Sequence, residues 1–481
     1  MCDTVVIGND FSSLIAALIT ARSGKRTVLI SEGHIPDFYA ESGYVFDIDP
    51  FPWTGSDPGG LLRRLLSETD TNLMDRLEIH PLDSPLQVIF PEHRIDLYNR
   101  IELLSDELKR EFAIDSEKII NFYESIIQKR KVIASLIEKT PYVRPETFRE
   151  YLGYIFNVPA FLWNRTGLSN NLKCIRNNSL LKKIFDAEIL LLSNLCVDGA
   201  TPLSSAYILS LLLNGFHYYS GGKHRLIEEL KKKFIELGGT IFGECSILRL
   251  NIKEEIKADI IVDEEAFVIN SKNVIISTKW EQFKHVILKD KRFSKFANKY
   301  INVESLYFPF TIHMGLCDRG LPEQMAEYVM IISDEKEPLA NGNLVFLETS
   351  LREDTGRAPS GKRAMSATIL LNESPLSLSD EDLKEISKNI LIKIEGFLPF
   401  FRESFEFMNI DSSIDISRKY QEVINQKYTT RKKSILGISP LSNKTPVKNV
   451  FLTGGMLFAG LGFDGEVISG LNAANMAMGG N

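Results

Sequence analysis

The chain has 481 residues, 44% hydrophobic and 25% charged, with a formal net charge of -7. That length holds a large core and two or more domains, and the lack of a basic surplus argues against nucleic acid as a partner. Its five cysteines form no CxxC pair, which offers no zinc spacing and suits a reducing compartment with free thiols.

The first strand is expected at Val5, Val6 and Ile7, a β-branched run of the kind that fills a parallel strand buried on both faces. It begins too early for a signal peptide, and no apolar run approaches the ~20 residues that span a bilayer, so a cytoplasmic protein is expected. A turn follows at Gly8. Leu14, Ala17, Leu18 and Ala21 then recur at helical spacing, and Gly24 closes that helix. A second buried strand, Val28-Leu29-Ile30, ends at Ser31 and Glu32. Strand, glycine turn, helix, strand and a terminal acid make a Rossmann dinucleotide-binding unit.

The fingerprint of that unit asks for three glycines: one for the turn, one for close approach to a pyrophosphate, one for helix–strand packing. Here the positions read Gly8-Asn9-Asp10-Phe11-Ser12-Ser13, and only the first glycine is present. Ser13 is small enough to pack. Asp10 carries a carboxylate where phosphate charges would lie, a repulsion of about 4 kcal/mol at 4 Å and an effective dielectric near 20. A micromolar-to-nanomolar cofactor carries about 8–12 kcal/mol, so Asp10 weakens such binding without abolishing it. The other reading is that this carboxylate caps the helix and takes the anion position itself.

Beyond Glu32, Asp47 stands shortly before Pro50 as either a turn residue or part of the site. Residues from Gly60 to about Lys139 read mostly helical, with Ile119, Ile120, Phe122, Ile126 and Ile127 as a buried stripe. Tyr151 to Trp163 is dense in aromatics and followed by Arg165, which fits either core packing or a shallow dip into a membrane. Near Asn214 the chain returns to the first unit. Leu226, Leu230, Phe234 and Leu237 mark one helical face, stopped by Gly238-Gly239. Strands then follow around Ile247 and from Val274 to Thr278. Further strand-like runs occupy the stretch to Lys444, and Arg431-Lys432-Lys433 is either a solvated face or a contact for anionic lipid. The chain ends in a buried strand, Val450 to Thr453, then Gly454-Gly455 and a small-residue helix opening near Gly465, with Asp464 as its expected cap.

Taken in order, these motifs resemble the phytoene-desaturase and retinol-saturase-like branch of the flavin amine oxidoreductase superfamily. The segment Ala358-Pro359-Ser360-Gly361-Lys362 and the C-terminal Ser469-Gly470 and Ala473-Ala474 carry the likeness best. The resemblance implies an α/β fold: a Rossmann-type FAD-binding domain interleaved with a mixed-sheet and helical substrate domain. Its segments would be 1–75, 214–280 and 445–481 for the first, with a helical part at 76–213 and a sheet part at 281–444 for the second. FAD is the implied cofactor, near Gly8, Asp10, Phe11, Ser12, Ser13, Glu32, Ile247, Gly454, Gly455, Gly465, Glu466 and Val467. In such proteins Ile247 would offer a backbone contact to adenine. The sequence departs from the family at Asp10, at the missing glycine pair after Glu32, and at the C-terminal aspartate, replaced by Gly455 or Met456. Glu466 also stands where alanine is usual.

Two functions follow. One is an FAD-dependent desaturase, saturase or isomerase acting on a long apolar substrate, plausibly isoprenoid or polyene, with possible peripheral contact to a membrane. The other is a relative that kept the architecture without the cofactor, resembling GDP-dissociation inhibitors, and serves as a lipid- or protein-binding scaffold. An amine or amino-acid oxidase fits the APSGK segment less well. No acid, base, nucleophile or metal cluster is assignable, and His217, His224 and His313 are scattered.

Overall fold

A computed structural model describes residues 1–33, 36–70, 73–112, 116–139, 179–300, 303–421, 426–430 and 442–479. Its organising layer is a six-stranded sheet. Cys2–Ile7 lies parallel between Thr27–Glu32 and Glu265–Ser277, with Val5 level with Val28 on one side and Val274 on the other. Thr240–Ile252 extends the sheet beyond the second strand, and Val450–Thr453 closes the other edge. Val5, Val6 and Ile7 are fully buried, as a strand covered on both faces requires.

The first helix, Phe11–Arg22, is buried from Phe11 through Ala21. It packs against the last helix, Gly462–Ala477, and against His224–Glu236. The close approach depends on a glycine: a Cβ on Gly470 would stand 2.5 Å from the Ser12 carbonyl oxygen and 2.9 Å from the Ile15 Cβ. The two ends of the polypeptide therefore meet over the first sheet.

A second, eight-stranded sheet is built around Val303–Cys317 and Lys362–Leu371, paired antiparallel from Phe308–Leu371 to Cys317–Lys362. The APSGK segment is the turn that feeds Lys362–Leu371. One expectation changes here. The 76–213 stretch is not wholly helical, because Leu86–Ile89 and Arg94–Leu97 form a hairpin that joins this sheet beside Tyr328–Ile332. Leu86, Val88, Ile95 and Leu97 are buried, and Gln87 bonds Asp96 across the hairpin at 2.6 Å. The longer helical pattern on either side had masked that short alternation.

Helices Ser116–Lys139 and Ser179–Leu192 both pack against Pro202–Leu212. Of the expected stripe, Ile119, Phe122 and Ile126 are buried, Ile120 is half-buried and Ile127 is exposed. The aromatic segment Tyr151 to Trp163, Arg165, and Arg431-Lys432-Lys433 lie outside the described residues. Among the described residues no helix is long and apolar enough to cross a membrane.

Candidate functional site

The turn after the first strand sits at the carboxyl ends of parallel strands, where open α/β sheets place their ligands. Gly8 is required there, since a Cβ would collide with the Ser13 hydroxyl and the Ser277 side chain. Asp10 is the cap of the first helix. Its Oδ1 accepts the Ser13 N–H at 2.8 Å and the Ser12 and Ser13 hydroxyls at 2.7 Å each. Its Oδ2 accepts the Ser277 hydroxyl. Of the two roles open to Asp10, the structure displays the cap: the helix's anion position is filled from within.

Glu32, at the end of the second strand, is engaged in the same way. Its carboxylate accepts the Ile247 N–H at 2.9 Å, the Gln282 amide at 3.0 Å and the Trp280 indole N–H at 2.5 Å. The Ile247 backbone, implied as an adenine contact, is therefore spent on a side chain of the protein. Trp280 and Gln282 were not singled out in the sequence; their signal was the bulky, polar run directly after Ser277 and Thr278.

The C-terminal glycines pack closely against other parts of the chain. Gly454 donates its N–H to the Ser469 hydroxyl at 3.0 Å. A Cβ on Gly455 would come within 2.6 Å of Glu466 Oε1 and 2.7 Å of Asn194 Nδ2. Gly455 thus makes room for a side chain of this chain. A Cβ on Gly465 would run into the Phe458 carbonyl oxygen, so that glycine serves packing. Val467 is fully buried in the cluster holding Phe11, Trp53 and Phe463. Asp464 does not cap the last helix, which opens at Gly462 with Leu461 at its cap. Within the first turn, Asp464 accepts the hydroxyls of Thr54 at 2.8 Å and Tyr207 at 2.6 Å.

Glu466 binds Lys279 at 2.8 Å, and both side chains are at most a tenth exposed. Burial pushes the Glu466 carboxyl up, with Lys279 restoring part of its acidity. Burial also opposes charge on Lys279, but Glu466 and Asp10 outweigh it and hold the ammonium above its ordinary range. Beside this pair Trp53 stacks on Phe463 at 4.7 Å between centroids, and Phe11 leans on both. Lys223 donates to the Asp49 and Phe51 carbonyls at 2.7 and 2.6 Å, and its N–H reaches Asp47. The space left among Asp10, Asp49, Trp53, Lys223, Lys279 and Glu466 is about 70 Å³.

Lys427, which the sequence reading passed over, is buried nearby. It donates to the Ser193 carbonyl at 2.8 Å and lies 4.4 Å over the Phe51 ring. Burial pulls its ammonium down to about 8, with Asp49 and Cys196 pulling the other way. An apolar cavity between Phe51, Leu190, Leu191, Met330 and Phe346 measures about 10 Å³. The three histidines stay apart in role: His313 bonds Ser366 and is depressed to about 3 by burial and Arg357, while burial also lowers His217 and His224. Among the described residues no group of His, Cys, Asp or Glu is arranged to hold a metal ion.

A flavin dinucleotide needs an anion position, a ribose and adenine edge, and a flat slot for its ring. Small-molecule sites run to about 300–1,000 Å³. Asp10 takes the anion position and Glu32 the ribose edge, while about 70 Å³ stays open beside the Lys279–Glu466 pair and about 500 Å³ lies along Gly8, Asn9, Asp10, Phe11, Ser31 and Gly33.

No family model matches the sequence. The chain is 21% identical over 510 residues to prolycopene isomerase 2, chloroplastic, of an Oncidium hybrid cultivar, covering 98% of this chain and 83% of that protein. It is 20% identical over 534 residues to an inactive all-trans-retinol 13,14-reductase of Danio rerio, covering 99% and 85%. Among solved structures it is similar to putrescine oxidase bound to putrescine, with a TM-score of 0.62, 12% identity and 99% of each chain covered. It is also similar to a Rab GDI of Plasmodium falciparum, with a TM-score of 0.53, 12% identity, and 99% and 98% covered. The α/β fold is that of FAD-dependent oxidoreductases and GDI, and the resemblance to their desaturase-like branch holds along the chain.

Proposed function

We propose that this chain is a binding protein on the FAD-type oxidoreductase fold, a lipid- or protein-binding scaffold whose cofactor groove is satisfied by its own side chains. One observation carries the reading: Asp10, Glu32 and Glu466 each take partners that phosphate, nucleoside and ring would otherwise need. Opening the ring side means parting a buried ion pair, and leaving either charge alone costs about 3–5 kcal/mol. A cofactor bound at micromolar strength, about 8 kcal/mol, would lose much of its affinity to that step.

A second reading has its own support in the whole-length similarity to prolycopene isomerase. It makes the chain an FAD-dependent desaturase, saturase or isomerase for a long apolar, polyene-like substrate, with Lys279 and Glu466 moving apart to admit the ring. Visible absorbance of the purified protein and a titration of FAD fluorescence separate the two. The scaffold reading expects a colourless protein and no quenching at tens of micromolar FAD. A yellow protein, or saturable uptake, overturns it in favour of the flavoenzyme. Peripheral contact with anionic lipid belongs to either reading and is tested by co-sedimentation with anionic vesicles.

A further inference from the structure

A cleft of about 770 Å³ opens between the two sheet units and shares no lining residue with the groove around Asp10 and Glu466. Its first wall holds Arg76, Leu77 and Glu78 beside Tyr219, with Arg225 in the first turn of the His224–Glu236 helix. Its second wall holds Glu323 and Glu327 ahead of Tyr328–Ile332, and the Leu351–Gly356 loop that precedes Lys362–Leu371. Asp354 joins the walls, accepting the Tyr218 hydroxyl at 2.6 Å and the Gly221 N–H at 2.8 Å. The volume and the position between two structural units are those of a small-molecule site.

Charge decides what fits. Most of the lining ions are paired within their own wall: Arg76 to Asp70 and Glu229, Glu78 to His80, Arg352 to Asp318, and Glu327 to Arg363. Among the described residues no ion pair crosses the cleft. Arg225 is left on the first wall, laid over Gly221, where a Cβ would stand 2.6 Å from its Nε. Glu323 and Glu353 are left on the second. None of the three has an ion pair or a side-chain hydrogen bond among the described residues, and all three are exposed. The cleft therefore offers one unpaired guanidinium and, on the facing wall, two unpaired carboxylates. A phosphate or nucleotide would meet those carboxylates, and a diamine would meet the guanidinium, so a ligand of one sign is repelled on one side. A molecule carrying both signs satisfies both walls: a carboxylate takes two parallel N–H bonds from a guanidinium, and an ammonium bonds a carboxylate. Leu77 and Leu351 add apolar surface, one on each wall, for the carbon chain between.

We propose that this cleft binds a zwitterionic small molecule, an ω-amino acid in form, with its carboxylate on Arg225 and its ammonium on Glu323 and Glu353. The site stands apart from the cofactor groove and holds under either reading of that groove. Isothermal titration calorimetry on the full chain at low salt tests it, with 6-aminohexanoate, hexanoate and hexylammonium as probes. 6-Aminohexanoate binds saturably at one site, and each single-charge probe binds at least about tenfold more weakly. Arg225→Gln weakens 6-aminohexanoate by about tenfold or more and leaves the urea midpoint close to wild type, because no partner is lost. Glu323→Gln combined with Glu353→Gln removes the preference for 6-aminohexanoate over hexanoate, and this variant carries the test should Arg225→Gln fail to fold. No heat from 6-aminohexanoate, equal binding of either single-charge probe, unaltered affinity in Arg225→Gln, or a preference that survives the double glutamine variant overturns the proposal. FAD uptake by the same samples would decide between the readings of the groove and leave this inference untouched.

Discussion

The seam between the first and last helices and the groove one turn away from it obey different rules. In the seam every feature of the fold is kept: small residues let the backbones touch, and Gly470 rests on Ser12 and Ile15. In the groove Gly8 and Gly455 remain, but Glu466 fills the space beside Gly455 and the Asp10 carboxylate stands in place of a fingerprint glycine. Architecture and chemistry have been separated. A glycine beside a ligand and a glycine beside a glutamate look the same in sequence, because both serve a close approach.

The strongest way to break that contrast is to empty the groove from one side. Glu466→Ala leaves Lys279 buried without its counter-ion and is expected to cost about 3–5 kcal/mol, read as a lower urea midpoint. Replacing both partners by Leu and Met should recover most of the loss. If Glu466→Ala is neutral, the pair is not what closes the groove.

The next effect lies away from the groove and serves as its control. Glu188, fully buried in the Ser179–Leu192 helix beside the Tyr123 hydroxyl, is raised by burial from 4.5 to about 8, with Tyr123 pulling the other way. The folded chain then keeps a proton that the unfolded chain loses above pH 4.5. Stability should fall with rising pH through the window from 4.5 to 8, by at most about 1.4 kcal/mol per unit, and level off beyond it. By pH 7 the loss approaches about 3 kcal/mol. Glu188→Gln is expected to flatten that slope in urea midpoints measured across the window. A slope that survives in the variant would assign it to other groups.

Much of this was legible from the residues alone, and what was not has physical causes. The β-branched run at Val5–Ile7, the small-residue helix and the order of motifs fix where the backbone goes, so the sheet and the meeting of the termini could be read. The hairpin of Leu86–Ile89 and Arg94–Leu97 was hidden because four-residue alternations are weak beside long helical periodicity. Trp280, Gln282, Lys279 and Lys427 were missed because their partners come from distant segments, and no spacing rule links Glu32 to Trp280 or Lys279 to Glu466. Asp464 was placed as a cap because an acid before a helix is the common pattern. The helix begins three residues before Gly465, at Gly462, and the carboxylate turns inward to Thr54 and Tyr207.

Within the seam, Gly470→Val tests whether contact is the requirement. Its branched side chain would enter space held by the Ser12 carbonyl and Ile15. Overpacking of this kind costs about 1–3 kcal/mol, and the upper half is expected because backbone cannot swing aside. Gly455→Ala makes the sharper comparison. Its Cβ meets the ends of Glu466 and Asn194, which are side chains, so the loss should be smaller and should shrink further when combined with Glu466→Ala. Equal losses in the two backgrounds would mean that Glu466 does not fill the space beside Gly455.

The last effect bears on the turn itself. Asp10→Ala removes the cap from the first helix, expected to cost about 1–2 kcal/mol, and adds to that as the buried Ser12, Ser13 and Ser277 hydroxyls lose their acceptor. Asp10→Gly should cost less, since glycine is tolerated at caps, and it restores the second glycine of the dinucleotide fingerprint. The two variants therefore separate the roles of the carboxylate. If Asp10 only repels phosphate, Asp10→Gly by itself admits FAD and quenches its fluorescence. If the groove is also closed by Lys279 and Glu466, Asp10→Gly stays free of flavin, and uptake appears only when it is joined to the Leu and Met replacements of that pair. The geometry supports the second outcome, because freeing the helix N–H groups opens the phosphate end and leaves the 70 Å³ ring end as it was.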